Sequence, residues 1–182
     1  TAQNDRKKGM NFEEKEYIRR AREGDRRAFE ILVHHYDQRV LGLIYQLVRN
    51  RQDAEDIYQE VFMRVFRHIK KFRFDSDFFT WLYRITVNTV ISHGRGGSRH
   101  RHQSLDHLQE KETGYSWTPV DQGPSPEEEV QGLELKERIE ASMGRLPMMQ
   151  RAVFVLRFYQ EFKIREIAQI MGRSEGTVKN YL

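Results

Sequence analysis

The spacing of apolar residues in the N-terminal half most constrains what this chain can fold into. Between Phe29 and Leu47, apolar side chains recur at three- and four-residue steps, which places them on one face of a long helix. Similar spacings follow at residues 57–69 and 79–91, and no segment shows the sustained alternation of a strand. The sequence therefore predicts an all-α fold.

A proline-rich segment interrupts this helical pattern. The stretch GYSWTPVDQGPSP holds three of the four prolines and has no helical spacing. Acids outnumber lysine by seven to one between Ser104 and Gln131. We therefore predict two small helical domains, residues 10–102 and 126–182, joined by a flexible acidic linker, residues 103–125.

Local signals indicate where the helices begin and end. We expect Asp75 or Ser76 to cap the helix that carries Trp81, and the glycines of HGRGGSRH to end that helix. Beyond the linker, Ser125 and Pro126 indicate one helix start and Pro147 indicates another.

The composition limits the classes of function that this chain can have. The net charge is only +4, but residues 62–102 hold nine Lys and Arg against two acids, which favours contact with nucleic acid. The chain has no cysteine, which excludes disulfides and Cys-based zinc sites. No apolar run reaches the roughly 20 residues that span a bilayer. We expect a cytoplasmic protein without membrane insertion.

The histidines do not indicate an enzyme. His93, His100, His102 and His107 lack the helical spacing and nearby acid of a zinc hydrolase, and no glycine-rich phosphate loop is present. We expect no metal, no cofactor and no catalytic activity.

The C-terminal segment IREIAQIMGRSEGTVKNYL has the spacing of a helix-turn-helix. A small residue, Ala168, allows close helix crossing, Gly172 suits a left-handed turn, and Val178 fills the seam. Ser174 is expected to cap the second helix, and the chain ends at Leu182, about two turns into it. An ordinary helical hairpin would share these features. The candidate DNA contacts are Arg151, Arg173, Ser174, Glu175, Thr177, Lys179, Asn180 and Tyr181.

Together these motifs resemble bacterial RNA polymerase sigma factors of the extracytoplasmic-function group, through DAEDIYQEVFMRVFRHIKKF, FFTWLYRITVN and the C-terminal motif. The resemblance implies that the first block docks on the β′ coiled coil of core RNA polymerase and that the C-terminal domain, which has the β flap as a further partner, reads the minus-thirty-five element. A solvated acidic face is the alternative for the first block, where Val61 could add apolar anchoring. The implied docking residues are Asp53, Glu55, Asp56, Gln59, Glu60 and Phe62.

The resemblance also implies that the loop FRFDS and the helix after it read the minus-ten element as a melted strand. Phe72 and Phe74 are expected to stack on unpaired bases, whereas the helical spacing of Trp81 predicts a core position. The residues implied for this element are Arg64, Arg67, Lys70, Lys71, Phe72, Arg73, Phe74, Asp75, Ser76, Arg84 and Asn88.

The resemblance also bears on a protein partner and on the linker, and two other classes of protein remain alternatives. An anti-sigma protein is an expected partner, and the acidic linker either mimics nucleic-acid charge in a basic polymerase channel or serves as a soluble tether. A free-standing helix-turn-helix regulator would bind duplex promoters without polymerase, and an RNA-binding adaptor would use the same basic and aromatic residues on single strands.

Overall fold

The computed structural model describes residues 12–48, 50–100, 138–139 and 141–182. All regular elements in these ranges are helical, which confirms the all-α prediction. The helices of the N-terminal half are α1 Phe12–Glu23, α2 Arg26–Val48, α3 Arg51–His68, a 3-10 turn Ile69–Lys71 and α4 Phe78–His100. Those of the C-terminal half are α5 Met148–Phe154, a π-helical turn Val155–Tyr159, α6 Ile164–Met171 and α7 Glu175–Asn180.

The N-terminal helices bury the predicted apolar stripes against each other. A left-handed Gly24, at φ 101°, turns the chain from α1 into α2, and the Asp25 carboxylate accepts a hydrogen bond from the Ala28 backbone N–H at 3.1 Å. The Tyr36 hydroxyl, whose pKa is raised by burial, donates to Glu14 and ties α2 to α1. The fully buried side chains at the centre include Leu43, Ile44, Leu47, Ile57, Leu82 and Tyr83.

Both ends of α4 differ from the prediction. The helix begins at Phe78, so the cap position is Asp77, whose carbonyl accepts a hydrogen bond from Trp81 N–H, rather than Asp75 or Ser76. The helix also continues through the glycines of HGRGGSRH to His100. A glycine in a helix costs only about 1 kcal/mol relative to alanine, so it does not end a helix by itself.

The C-terminal half forms the predicted helix-turn-helix from α6 and α7. The turn passes through Gly172 at φ 61°, Val178 is fully buried in the seam, and Ser174 Oγ accepts a hydrogen bond from Thr177 N–H at 3.1 Å. Pro147 directly precedes α5, as predicted. The predicted start at Ser125 and Pro126, and the linker, lie outside the described residues.

The two halves pack directly on one another, which the sequence did not predict. Phe162, only 3% exposed, lies with its ring centroid 5.8 Å from that of Phe79 and 5.5 Å from that of Tyr83. The Tyr83 hydroxyl and the Gln46 and Gln160 amides continue this contact, since Tyr83 Oη donates to Gln160 Oε1 and Gln160 Nε2 donates to Gln46 Oε1, both at 3.1 Å. Long-range aromatic and polar contacts therefore hold α4 against the C-terminal half.

Within the described ranges, none of the helices combines the length and the apolar character that a bilayer-spanning helix requires. Nor do three His, Asp or Glu side chains converge on a point that would suit a metal ion, within those same ranges. His102 and His107 lie outside the described residues.

Candidate nucleic-acid and polymerase interfaces

The acidic start of α3 forms an open polar surface. Asn50 caps the helix by accepting a hydrogen bond from Asp53 N–H at 2.9 Å, and Glu55 pairs with Arg51 at 3.0 Å. Asp56 and Gln59 are exposed on the same helix. They belong to a groove of about 620 Å³ lined by Asp56, Gln59, Glu60, Met63, Arg64, Arg67 and His68.

This groove holds a residue that the sequence reasoning missed. Met63 is 55% exposed between the acidic and basic turns of α3, where a flexible apolar side chain could anchor a partner. The helical spacing does carry a signal for this exposure, because Met63 lies off the buried stripe of Ile57, Val61 and Val65. Phe62 is half-buried against Tyr58, with ring centroids 4.9 Å apart, whereas Val61 is fully buried and offers no anchoring surface.

The loop between α3 and α4 separates its two aromatic residues. Phe72 is 3% exposed and packs against Phe78 and Trp81, with ring centroids 5.5 and 5.2 Å away, so it presents almost no surface to a base. Phe74 remains partly exposed and adopts the left-handed conformation at φ 60°. The structure therefore leaves Phe74 as the loop aromatic that a base could reach.

Phe74 is held in this conformation from two sides. The Phe72 ring lies 5.0 Å from it, and the Arg22 guanidinium of α1 stands over it at 5.5 Å. A non-glycine residue in this backbone region costs about 1–2 kcal/mol. Strain of this kind is retained where surrounding contacts fix it, and it is concentrated at functional sites.

A second groove, of about 900 Å³, opens beside this loop. Two of its walls are the loop itself and α1, and the third comes from α6 of the C-terminal half. The lining residues are Lys15, Arg19, Phe74, Asp75, Ser76, Asp77, Thr80, Glu166 and Gln169. Asp75 and Ser76, the predicted polar readers, are exposed in it.

Most of the other residues predicted for the minus-ten element are exposed on α3, on α4 and on the segment between them. Arg67, Lys70, Lys71, Arg73 and Asn88 are exposed. Arg64 is committed to an ion pair, since its Nε donates to Glu60 Oε1 at 2.9 Å. Arg84 faces the helix-turn-helix, because a Cβ on Gly172 would lie 3.8 Å from Arg84 Nη2.

The predicted minus-thirty-five contacts divide into an exposed group, the hydrogen-bonded capping pair Ser174 and Thr177, and two packed residues. Arg173, Glu175, Lys179 and Asn180 are exposed on α7 and its turn, where a recognition helix needs them. Tyr181 packs partly against the hydrophobic core. Arg151 lies at the junction of the halves, donating to Leu47 O and Gly144 O at 2.8 Å and to Met143 O at 3.0 Å.

Comparison with known proteins places both halves in one family. The model of Sigma-70 region 2 matches residues 32–100, and that of Sigma-70 region 4 matches residues 136–182. The RNA polymerase sigma-H factor of Pseudomonas aeruginosa is 32% identical over 168 residues, which cover 92% of this chain and 87% of the relative. The ECF RNA polymerase sigma factor SigW of Bacillus subtilis is 35% identical over 172 residues, covering 91% and 88%.

A solved structure shares the fold. The sigma factor RpoE of Bartonella quintana, in complex with the anti-sigma factor NepR, superimposes with a TM-score of 0.62. The match covers 85% of this chain and 89% of that one at 20% sequence identity, so it describes the fold alone.

Proposed function

The chain belongs to the extracytoplasmic-function RNA polymerase sigma factors, and from this we propose how its two domains divide the work of initiation. It binds core RNA polymerase and directs promoter-specific transcription initiation. Because both sigma-70 regions match, a free-standing helix-turn-helix regulator is not favoured. The domain roles follow the boundaries 10–102 and 126–182.

The polymerase-docking surface in this proposal is the start of α3. Asp53, Asp56 and Glu60 place carboxylates along one side of the helix, and Met63 adds an exposed apolar group beside them. A basic coiled coil such as that of the β′ subunit complements this charge. The β flap is the corresponding partner of the C-terminal domain, and an anti-sigma protein is a further partner.

The minus-ten strand in this proposal is captured at the loop after α3. The observation that carries it is Phe74, an aromatic residue kept partly exposed in a strained backbone conformation beside exposed Asp75 and Ser76. Stacking one unpaired base on an aromatic ring is worth about 1–3 kcal/mol, comparable with the cost of removing a base from the duplex. In this proposal the exposed side chains of Arg67, Lys70, Lys71 and Arg73 neutralise phosphates of the bound strand.

Two substitutions test this division of labour. Asp56→Arg is expected to weaken binding to core polymerase, measured by fluorescence anisotropy, while bubble binding by the holoenzyme formed at saturating core stays near wild type. Phe74→Ala is expected to do the reverse. Glu30→Arg makes the same charge change at an exposed site on α2 and serves as the control. Equal loss of both functions in both variants, with folding intact, contradicts the proposal.

Run-off transcription with core enzyme on a genomic promoter library then tests the function as a whole. We expect transcripts from a restricted set of promoters, dependent on the added chain. Tight duplex binding without polymerase, and no transcripts, would favour the regulator.

Promoter capture in this proposal also requires α6 to move away from the loop. Glu166 and Gln169 line the same groove as Phe74, and a carboxylate there repels an incoming phosphate. The chain has no native cysteine, so Gln46→Cys with Gln160→Cys introduces a specific pair for a bifunctional maleimide. Cross-linked protein is expected to lose bubble binding, and each single-cysteine variant treated alike is the control. Undiminished binding after cross-linking contradicts this step.

A further inference from the structure

The groove beside the minus-ten loop lacks cations from the loop itself. Among the described residues that line it, Asp75, Asp77 and Glu166 carry negative charge. The lining cations in that set are Lys15 and Arg19, and both come from α1. A strand whose base reaches Phe74 from this groove would therefore meet the carboxylates of Asp75 and Asp77, and the cations that line the same groove come from α1.

Three basic residues lie on one face of α1. Lys15, Arg19 and Arg22 are spaced by four and three residues, which aligns them along one side of a helix over about 10 Å. Lys15 and Arg19 are exposed, and Arg19 makes a loose ion pair with Glu16, with Nη1 3.7 Å from Oε2. An exposed pair of this kind contributes little, so it leaves the guanidinium able to exchange partners.

Arg22 connects this face to the aromatic residue. Its guanidinium stands 5.5 Å over the Phe74 ring, while its buried Nε has no hydrogen-bond partner among the described residues. The groove lining contains Lys15 and Arg19 but not Arg22, and Arg22 Nε is buried, so Arg22 supports the Phe74 ring rather than meeting the strand. Arg20, by contrast, points to Asp25, with Nη2 to Oδ2 at 2.7 Å, and belongs to the α1–α2 turn.

We propose that Lys15 and Arg19 form a basic strip that binds the phosphodiester backbone of the melted strand whose base stacks on Phe74, while Arg22 holds the Phe74 ring beside the strip. This inference rests on the proposed function of the loop and adds α1 to the DNA-binding surface. The strip positions the strand electrostatically, while the loop recognises the base.

The salt dependence of holoenzyme binding to a premelted bubble promoter tests the strip. Each phosphate contact on a single strand contributes about 0.7 to the slope of log affinity against log salt. The Lys15→Gln/Arg19→Gln variant is therefore expected to make this negative slope shallower by about 1.4. Its affinity at 0.1 M salt is expected to fall about tenfold or more. Arg26→Gln/Arg27→Gln removes the same charge from exposed positions at the start of α2 and is expected to leave the slope unchanged.

The outcomes separate the strip from the loop. Wild-type holoenzyme that ignores the bubble would overturn the proposed function. Wild-type binding with the same salt slope in the Lys15→Gln/Arg19→Gln variant would overturn the strip alone. A loss of core polymerase affinity in that variant, with an unchanged slope, would assign the face to a protein partner and also overturn the strip. Arg22→Lys, which keeps the charge but loses the planar fork, is expected to weaken bubble binding more than duplex binding.

Discussion

Two turns in this molecule share one backbone conformation but not one residue type. In the helix-turn-helix, Gly172 adopts φ 61°, and in the loop before α4, Phe74 adopts φ 60°. Glycine takes this conformation without steric cost, whereas phenylalanine does not. The first turn forms without strain, and the second retains strain while its aromatic ring stays partly exposed.

The two turns also differ in the groups that surround them. At Gly172 the nearest group to an added Cβ is Arg84 Nη2, at 3.8 Å, so only the backbone requires glycine. At Phe74 the side chain itself is held, by the Phe72 ring at 5.0 Å and by Arg22 at 5.5 Å. A left-handed residue whose side chain is held by its neighbours is therefore a stronger sign of function than a left-handed glycine.

The largest expected effect is on DNA binding when Phe74 is replaced. Phe74→Gly is expected to reduce holoenzyme affinity for a bubble template by about 5- to 150-fold, since one base stack is worth about 1–3 kcal/mol. Its thermal unfolding should stay near that of the wild type, because relief of backbone strain offsets lost ring contacts. Fluorescence anisotropy and calorimetry measure the two quantities.

Two outcomes for Phe74→Gly would remove the proposed difference between the two turns. Bubble affinity within twofold of wild type would show that the ring is not a stacking surface. A large loss of stability with unchanged DNA affinity would make Phe74 a structural residue like its buried neighbour Phe72.

A smaller effect is expected on stability when the helix-turn-helix glycine is replaced. Gly172→Ala should lower the free energy of unfolding by about 1–2 kcal/mol, because alanine pays the left-handed cost that glycine avoids. Gly176→Ala is the matched control. Gly176 is not at positive φ and an added Cβ would meet Ser174 Oγ at an ordinary 3.8 Å, so we expect a gain of about 0.5–1 kcal/mol. Urea unfolding measures both, and equal destabilisation would contradict the argument.

The smallest effect concerns the caps of the two halves and their response to acid. The pKa of Asp25 is lowered by the hydrogen bond that its carboxylate accepts from the Ala28 N–H and by the hydrogen bond from Arg20. This cap therefore stabilises the fold at pH values above the ordinary aspartate pKa. Its contribution is lost as pH falls through the lowered folded-state pKa. Ser174, which caps α7, does not titrate.

Thermal unfolding as a function of pH measures this difference. Asp25→Asn should flatten the acid dependence of the wild type by a small amount, since asparagine also caps helices but does not ionise. Ser174→Asp should add acid dependence to the C-terminal half. An Asp25→Asn profile parallel to that of the wild type would contradict the assigned cap.

Local features of the fold were predictable because they depend on short-range rules. Apolar spacing located the stripes of α2 and α3, and Gly172 and Ser174 marked the turn and cap of the helix-turn-helix. These signals act within a few residues along the chain, so a single sequence contains them.

The remaining features depend on contacts between distant segments. The contact of Phe162 with Phe79 and Tyr83 and the arrival of Arg22 over Phe74 join residues far apart in sequence, and the burial of Phe72 depends on how the loop folds onto α4. Met63 was missed although it lies off the apolar stripe of α3, because its residue type alone suggests a core position. The first helix was absent from the predicted DNA-binding residues because its approach to the loop depends on the packed structure.

Photocrosslinking from position 74 shows whether the loop contacts the melted strand. A photoreactive phenylalanine analogue at Phe74, assembled with core polymerase on a promoter, is predicted to crosslink to an unpaired base of the minus-ten region in the open complex and to lose that crosslink when the DNA is held duplex. The same analogue at Phe66, which is 50% exposed elsewhere in the domain, should not reach that base. Crosslinks from position 74 to protein alone, in a holoenzyme that melts the promoter, would contradict capture of the strand by this loop.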